Sequence, residues 1–265
     1  MSVDAVDQSP RLSDADLAKV MELIKGADSV ELKLTVPAGA HRATIQGLPL
    51  DPVEAQPRQV FFFDTPDLAL FEAGVVVRAR RIQGGSGDTV VKLRPVVPAD
   101  LPAEIRKSPG FKVEVDVIPG GFVCSASFKG RSSGQEIRNA VSGAIPLRKL
   151  FSKDQRAFYN EHAPAGIDLD SLQTLGPTFV LKAEFEPQEL GRKVIAEVWL
   201  YPDGTRLLEL STKAAPAEAF QVGAEARAYL VSRGIAIGGA QETKTRAALE
   251  FFKAQLAAEA TTDRT

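Results

Sequence analysis

The sequence predicts an α+β fold: a sheet of many short strands with helices at both ends of the chain. Three observations predict it. Strand-length runs repeatedly alternate apolar with charged residues. Helical spacing with capping signals is confined to the N-terminal stretch, a few connections and the C-terminal stretch. No fixed-period repeat and no tract of disordered composition divides the 265 residues, so they read as a flexible N-terminus over 1–12 and one domain over 13–260.

Ser13-Asp14-Ala15-Asp16 opens a helix with a hydroxyl cap and acids in the first turn; Leu17, Val20, Met21 and Ile24 keep helical spacing, and Gly26 stops it. Val30, Leu32, Leu34 and Val36 then alternate with Ser29, Glu31, Lys33 and Thr35, a strand with one apolar face. Phe61-Phe62-Phe63 reads as the next strand, and Thr65-Pro66-Asp67 as the start of a short helix ended by Gly74. Val75–Ile82 and Thr89–Pro95 form a hairpin across Gly84-Gly85-Ser86-Gly87-Asp88. Phe111–Ile118 alternates again and Pro119-Gly120 breaks it. The segment to Ser142 reads as a strand plus a helix, and Leu147–Glu161 as a helix or a helix-to-strand stretch. Strands follow at Thr178–Phe185, Lys193–Tyr201 and Arg206–Lys213. Two helices close the chain: Pro216–Arg233, with Phe220, Ala224, Ala228 and Leu230 or Val231 on its buried side, and Glu242–Ala260, with Ala248, Phe251, Phe252 and Leu256.

Composition narrows the function. Lys and Arg total 32 against 34 Asp and Glu, a formal charge of −2, which argues against a bulk polycation for nucleic acid or anionic membrane. One cysteine, Cys124, and two histidines, His41 and His162, leave no disulfide, no multi-cysteine metal site and no His-rich centre. The start has no basic segment before an apolar run and no stretch is long enough for a membrane span, so a soluble cytoplasmic protein is expected. The chain contains no P-loop motif.

The charged parities carry the chemistry. Lys33, Arg78, Arg80, Lys92, Arg94, Lys112, Lys182, Lys193 and Lys213 fall opposite the apolar faces, with Arg156 after the Phe151-Ser152-Lys153 turn as a further candidate. Glu31, Glu114, Asp116, Glu184, Glu197 and Glu209 share those parities. Alternation alone is also the pattern of a sheet with one wet face. Its recurrence in so many strands, and the placement of the first-strand and last-strand acids so that closure brings them together, point instead to a converging site. Cations that outnumber acids at close range call for a polyanion, and arginine suits phosphate through bidentate geometry.

Val30-Glu31-Leu32-Lys33-Leu34, the segment Phe62-Phe63-Asp64-Thr65-Pro66-Asp67-Leu68-Ala69-Leu70 with Ala73-Gly74 and Val77-Arg78-Ala79-Arg80, and Val90-Val91-Lys92-Leu93-Arg94 together resemble the CYTH domain of the triphosphate tunnel metalloenzymes. Arg156, Glu197 and Leu208-Glu209-Leu210-Ser211-Thr212-Lys213 resemble it more loosely. The resemblance implies a closed antiparallel β-barrel of about eight strands with helices packed outside. It also implies Mg²⁺- or Mn²⁺-dependent hydrolysis of inorganic triphosphate, polyphosphate or an organic triphosphate. On that reading Lys33, Arg78, Arg80, Lys92, Arg94, Lys112, Arg156, Lys182 and Lys213 bind the substrate. Glu31, Glu197 and Glu209 hold the metal, and Glu31, Glu209, Arg78 and Arg80 are the catalytic set. Two positions depart from the pattern, where Ser29 and Ser211 stand in place of acids. They motivate a second reading, a non-catalytic triphosphate or polyphosphate binder; a tunnel-type adenylyl cyclase is a third. The expected partner is a triphosphate-containing small molecule or polyphosphate, without nucleic acid or membrane, and a homodimer stays open. His41 and His162 read as loop residues, Cys124 as a buried inert thiol, and Trp199 as packing or a surface for stacking a base.

Overall fold

The computed structural model describes residues 12–238, 241 and 244–262; residues 1–11 of the expected flexible N-terminus and Glu242, the expected start of the last helix, lie outside them. Nine strands form the body: β1 (Ser29–Val36), β2 (Gln56–Asp64), β3 (Val75–Ile82), β4 (Ser86–Leu93), β5 (Phe111–Ile118), β6 (Gly121–Ser133), β7 (Gln173–Phe185), β8 (Val194–Leu200) and β9 (Arg206–Ala214). They close into a barrel in the order β1-β5-β6-β4-β3-β2-β7-β8-β9. The helices among the described residues are α1 (Asp14–Lys25), α2 (His41–Gly47), α3 (Ala69–Glu72), α4 (Ala103–Arg106), α5 (Gly134–Val141), α6 (Lys153–His162), α7 (Ala219–Ser232) and α8 (Lys244–Thr262).

The closed barrel with helices around it matches the α+β expectation, with two differences. There are nine strands, and β1 pairs β5 in parallel, Glu31 beside Asp116, while its other edge pairs β9 antiparallel. The parallel pair is a long-range contact: β2, β3 and β4 intervene, and no hairpin dictates the direction of the two strands.

Period-two alternation gives each strand an outer and an inner face. The outer faces of β1 to β6 bury Val30, Val77, Val91, Val113 and Phe128 against Val20, Leu23 and Ile24 of α1, Ile137 of α5 and Phe158 and Tyr159 of α6. Burial of such side chains contributes roughly 1.5–3 kcal/mol each and drives the docking of these helices. Ser133 with Glu136, and Ser152 with Gln155, form capping boxes that start α5 and α6. Gln155 also fixes α6 to the wall: its amide donates to the carbonyls of Thr89 and Phe128 and its oxygen accepts from the Thr89 hydroxyl.

α7 covers Leu34, Val36, Ala196, Leu208 and Leu210, but its buried residues are Ala219, Val222 and Tyr229, whereas Phe220 is 53% exposed. The helix starts at Ala219, so the face it presents is rotated from the one expected with Phe220 inward. The loop before α3 also differs: the Asp64 carboxylate accepts from the backbone N–H groups of Thr65, Leu70 and Phe71, while Thr65 Oγ1 accepts from Ala69. Asp64 thus organises the turn that leads into β3, with Leu68 in the left-handed region at φ 63°.

α8 is placed differently from α1 and α7. Its Ala248, Leu249 and Phe252 pack with Val60, Phe62, Val180, Trp199 and Leu207. Val60 and Phe62 share the parity of Arg58, and Leu207 that of Glu209, so these are inward residues at one end of the barrel. The C-terminal helix seals that end. No described helix is long and apolar enough to cross a membrane.

Candidate functional site

The inner face of the barrel gathers charge in three groups. The first is centred on Asp116 of β5, which is 2% exposed. Its Oδ1 lies 3.0 Å from Lys33 Nζ, its Oδ2 2.8 Å from Arg94 Nη2, and Lys92 Nζ stands 3.8 Å away. Burial opposes the charge of Asp116, but Lys33, Lys92 and Arg94 overcome it and hold the carboxyl well below the usual range. Lys33 also pairs with Glu31 at 3.1 Å. Burial disfavours the charge of Lys33, yet Asp116 and then Glu31 leave its pKa raised. Burial pushes Lys92 the other way, down to about 8, with Lys33 and Arg94 adding to the effect against Asp116. Arg94 is positioned by its backbone: its N–H donates to the Gly74 carbonyl at 2.8 Å. Gly74 has φ +77°, and a Cβ there would lie 2.5 Å from the Arg94 oxygen, so only glycine fits.

The second group surrounds Asp88 of β4. Arg80 binds Asp88 Oδ2 through Nη2 at 2.6 Å and Nε at 3.0 Å, and Lys129 of β6 lies 4.0 Å from the same oxygen. Arg58 and Arg78 complete the group, and their cations outnumber its carboxylate. Burial, and then the neighbouring Arg80, lowers the pKa of both Arg58 and Arg78, the latter to about 10. Burial, then Arg80 and Arg78, lowers that of Lys129 against Asp88. Arg78 forms no ion pair among the described residues, and its buried Nε has no hydrogen-bond partner.

The third group lies toward the α8 end. Glu197 and Glu209 face each other across β8 and β9. Lys244, the first residue of α8, binds both, Glu209 Oε1 at 2.8 Å and Glu197 Oε2. Glu197 Oε2 also accepts from Trp199 Nε1 at 3.2 Å. Burial would raise the Glu197 pKa, but Lys244 holds it well below the usual range. Trp199 is 2% exposed beneath Lys244, which makes it packing and removes it as a base-stacking surface.

Other residues sit at the edges. Lys213 binds Glu114, which also accepts from Ser29 Oγ at 3.0 Å. Lys182 binds Glu184, which is shared with Lys193 at 2.8 Å. Lys112 shares the parity of Glu114 and is exposed. Arg156 is not part of the barrel interior: it lies on α6, against the outer wall, and donates to the Phe151 carbonyl at 2.7 Å and the Arg148 carbonyl at 3.3 Å. His41 and His162 bind the backbone oxygens of Val36 and Phe158, and the buried Cys124 thiol is pushed up to about 11 by burial.

The three carboxylates expected to hold a metal ion are not brought together. β1 pairs β9 with Glu31 opposite Lys213 and Thr35 opposite Glu209, so Glu31 is four residues along the strand from Glu209, roughly 13 Å. Ser211 faces Lys33, and Ser29 faces Glu114 on β5. Among the described residues no three His, Cys, Asp or Glu side chains form a metal-ligating group. This donor set does not fit the hard-ion site expected from the sequence, because each facing pair of acids, Glu197 with Glu209 and Glu31 with Asp116, already encloses an ammonium group, Lys244 and Lys33 respectively. The cations Arg58, Lys129 and Lys244 and the acid Asp88 were not among the expected residues.

No family model matches the chain, and no curated protein does. Solved structures do. A candidate adenylyl cyclase from Hippeastrum, described as having a dominant triphosphatase activity, is 17% identical over 80% of this chain and 91% of its own, with a TM-score of 0.59. A candidate adenylate cyclase from Bacillus halodurans is 14% identical over 83% of this chain and 97% of its own, with a TM-score of 0.58. The chain shares its overall fold with these proteins.

Proposed function

We propose that the barrel binds a triphosphate group, free or as the end of a short polyphosphate or organic triphosphate. The observation that carries this reading is Arg78, an inward arginine beside Arg80 and Arg58 with no carboxylate of its own. Buried cations of one sign repel, and a folded chain keeps them where a bound anion supplies the missing charge. Burial first, with neighbouring cations adding to it against the nearby carboxylates, pushes down the pKa values of Arg58, Arg78, Lys92 and Lys129, and a bound anion would relieve that cost. A linear chain of phosphates matches a lining in which Arg80 on β3 neighbours the strand that carries Lys92 and leads into Arg94, with Lys33 on β1 beyond β6 and β5.

Hydrolysis of the bound chain is the second reading. It draws on the fold shared with the Hippeastrum protein and its triphosphatase activity. Cyclisation of a nucleotide has less support, since Trp199, the one aromatic residue considered for a base, is buried. Thermal melting with tripolyphosphate, against sulfate at matched ionic strength, tests binding, and phosphate release in the same samples separates binder from hydrolase. Equal melting shifts with the two anions would end the binding reading.

A further inference from the structure

Glu197 and Glu209 are 8% and 5% exposed and face each other across one ladder. Two such carboxylates can both stay ionised only with a cation between them. Lys244 supplies that cation, with its Nζ bonded to both and 5.5 Å from the centre of the Trp199 ring. The contact is built into the fold. Lys244 begins α8, and α8 is anchored independently by Ala248, Leu249 and Phe252 in the inner wall, by Arg246 over Phe71 at 5.6 Å, and by Tyr201, whose hydroxyl donates to the Lys244 carbonyl at 3.3 Å.

We propose that Lys244 is a tethered counter-cation that stands in place of a divalent metal ion, so that the barrel takes up its phosphate ligand without metal. Three features support the exchange. The facing acids already have a cation within hydrogen-bond distance. The neighbouring inward position of β9 is Ser211, which adds no anionic ligand. Glu31, the remaining expected ligand, is drawn to Lys33 at 3.1 Å. An ammonium group offers three donors, two of which go to the acids, so it neutralises them but has at most one N–H left where an octahedral ion offers several coordination sites to phosphate oxygens. The work of holding phosphate then falls on the arginines and Lys92. The inference rests on the phosphate-binding reading for its ligand only.

The test measures Mn²⁺ uptake directly, by the loss of the free-ion paramagnetic resonance signal, on full-length protein without phosphate. Wild type is expected to take up no Mn²⁺ at this pair. Lys244→Met, which keeps length and removes charge, is expected to take up one ion, to melt lower in chelator than in Mn²⁺, and to lose the uptake when Glu209→Gln is added. Lys244→Gln carries the same readouts should the Met variant not fold. Wild-type uptake that Glu197→Gln or Glu209→Gln removes would overturn the proposal, as would folded Lys244 variants that take up none. In parallel, tripolyphosphate is titrated into wild type in chelator and in Mn²⁺. Affinities within about tenfold of each other are expected, and binding only with Mn²⁺ would overturn the proposal. Absence of binding in both buffers would overturn the phosphate reading instead and leave the Mn²⁺ comparison standing.

Discussion

Asp116 Oδ1 lies 3.0 Å from Lys33 Nζ while its Oδ2 lies 2.8 Å from Arg94 Nη2, so one buried carboxylate ties β5 to β1 and to the end of β4 across the lumen. It is the internal anion that lets these cations exist without a ligand. Asp116→Asn keeps size and removes that charge. Breaking a buried pair costs about 3–5 kcal/mol, on the order of 10 °C in melting temperature for a chain of this size. Tripolyphosphate is expected to return more of that loss than it adds to wild type. A variant that melts like wild type in ligand-free buffer would show that Asp116 does not balance these cations.

Arg78 is expected to behave in the opposite way. Among the described residues its cation forms no ion pair, and its buried Nε has no hydrogen-bond partner. Arg78→Met is expected to leave the ligand-free melting temperature unchanged or higher, because an uncompensated buried charge is replaced by apolar volume. A clear fall in stability, measured by chemical denaturation, would mean that Arg78 is structurally paired in solution.

The pH dependence follows from Lys92, whose pKa is pushed down to about 8 by burial, with Lys33 and Arg94 adding to it. A phosphate anion favours the protonated form, so the bound-state pKa is higher than 8. Below pH 8 Lys92 is already charged and contributes no dependence. As pH rises above 8 the free protein loses the proton that the complex keeps, and affinity falls. Lys92→Arg is expected to flatten the fall between pH 8 and 10. An identical profile in that variant would assign the dependence to another group.

Neighbours on α6 separate wall from lumen. Gln155→Leu strands the carbonyls of Thr89 and Phe128 and is expected to lower stability by about 1–3 kcal/mol per group while leaving tripolyphosphate affinity intact. Arg156→Ala is expected to leave that affinity unchanged, because its guanidinium binds backbone carbonyls on the outer wall. A drop in affinity with Arg156→Ala, read by titration, would place its side chain inside the barrel.

Much of the inner face was legible because strand parity is local: Lys33, Arg78, Lys92 and Arg94 each follow from an apolar residue on either side, and Arg80 from its alternation with Ala79 and Arg78. Register was not, since barrel closure sets it between distant segments. Glu31 therefore meets Lys213 and Asp116 rather than Glu209. Arg58 was hidden by Pro57, which interrupts the alternation ahead of Phe61. Asp88 looked like part of a glycine-rich turn, but β4 already begins at Ser86. Lys129 sits in a strand whose Ser125, Ala126 and Ser127 carry little contrast between faces. Lys244 has no signal of its own, because its position over a barrel end depends on packing of Leu249 and Phe252 against Val60, Phe62 and Val180, which lie far away along the chain.

The most direct measurement is calorimetric titration of wild type and Arg78→Met with tripolyphosphate and with sulfate at matched ionic strength and pH 7. The account expects one tripolyphosphate per chain, much weaker sulfate binding, and a loss of about tenfold to a hundredfold in tripolyphosphate affinity in the variant. Equal affinity of wild type and variant, or equal heats from the two anions, would contradict a barrel built to complete the charge of Arg78 with a phosphate chain.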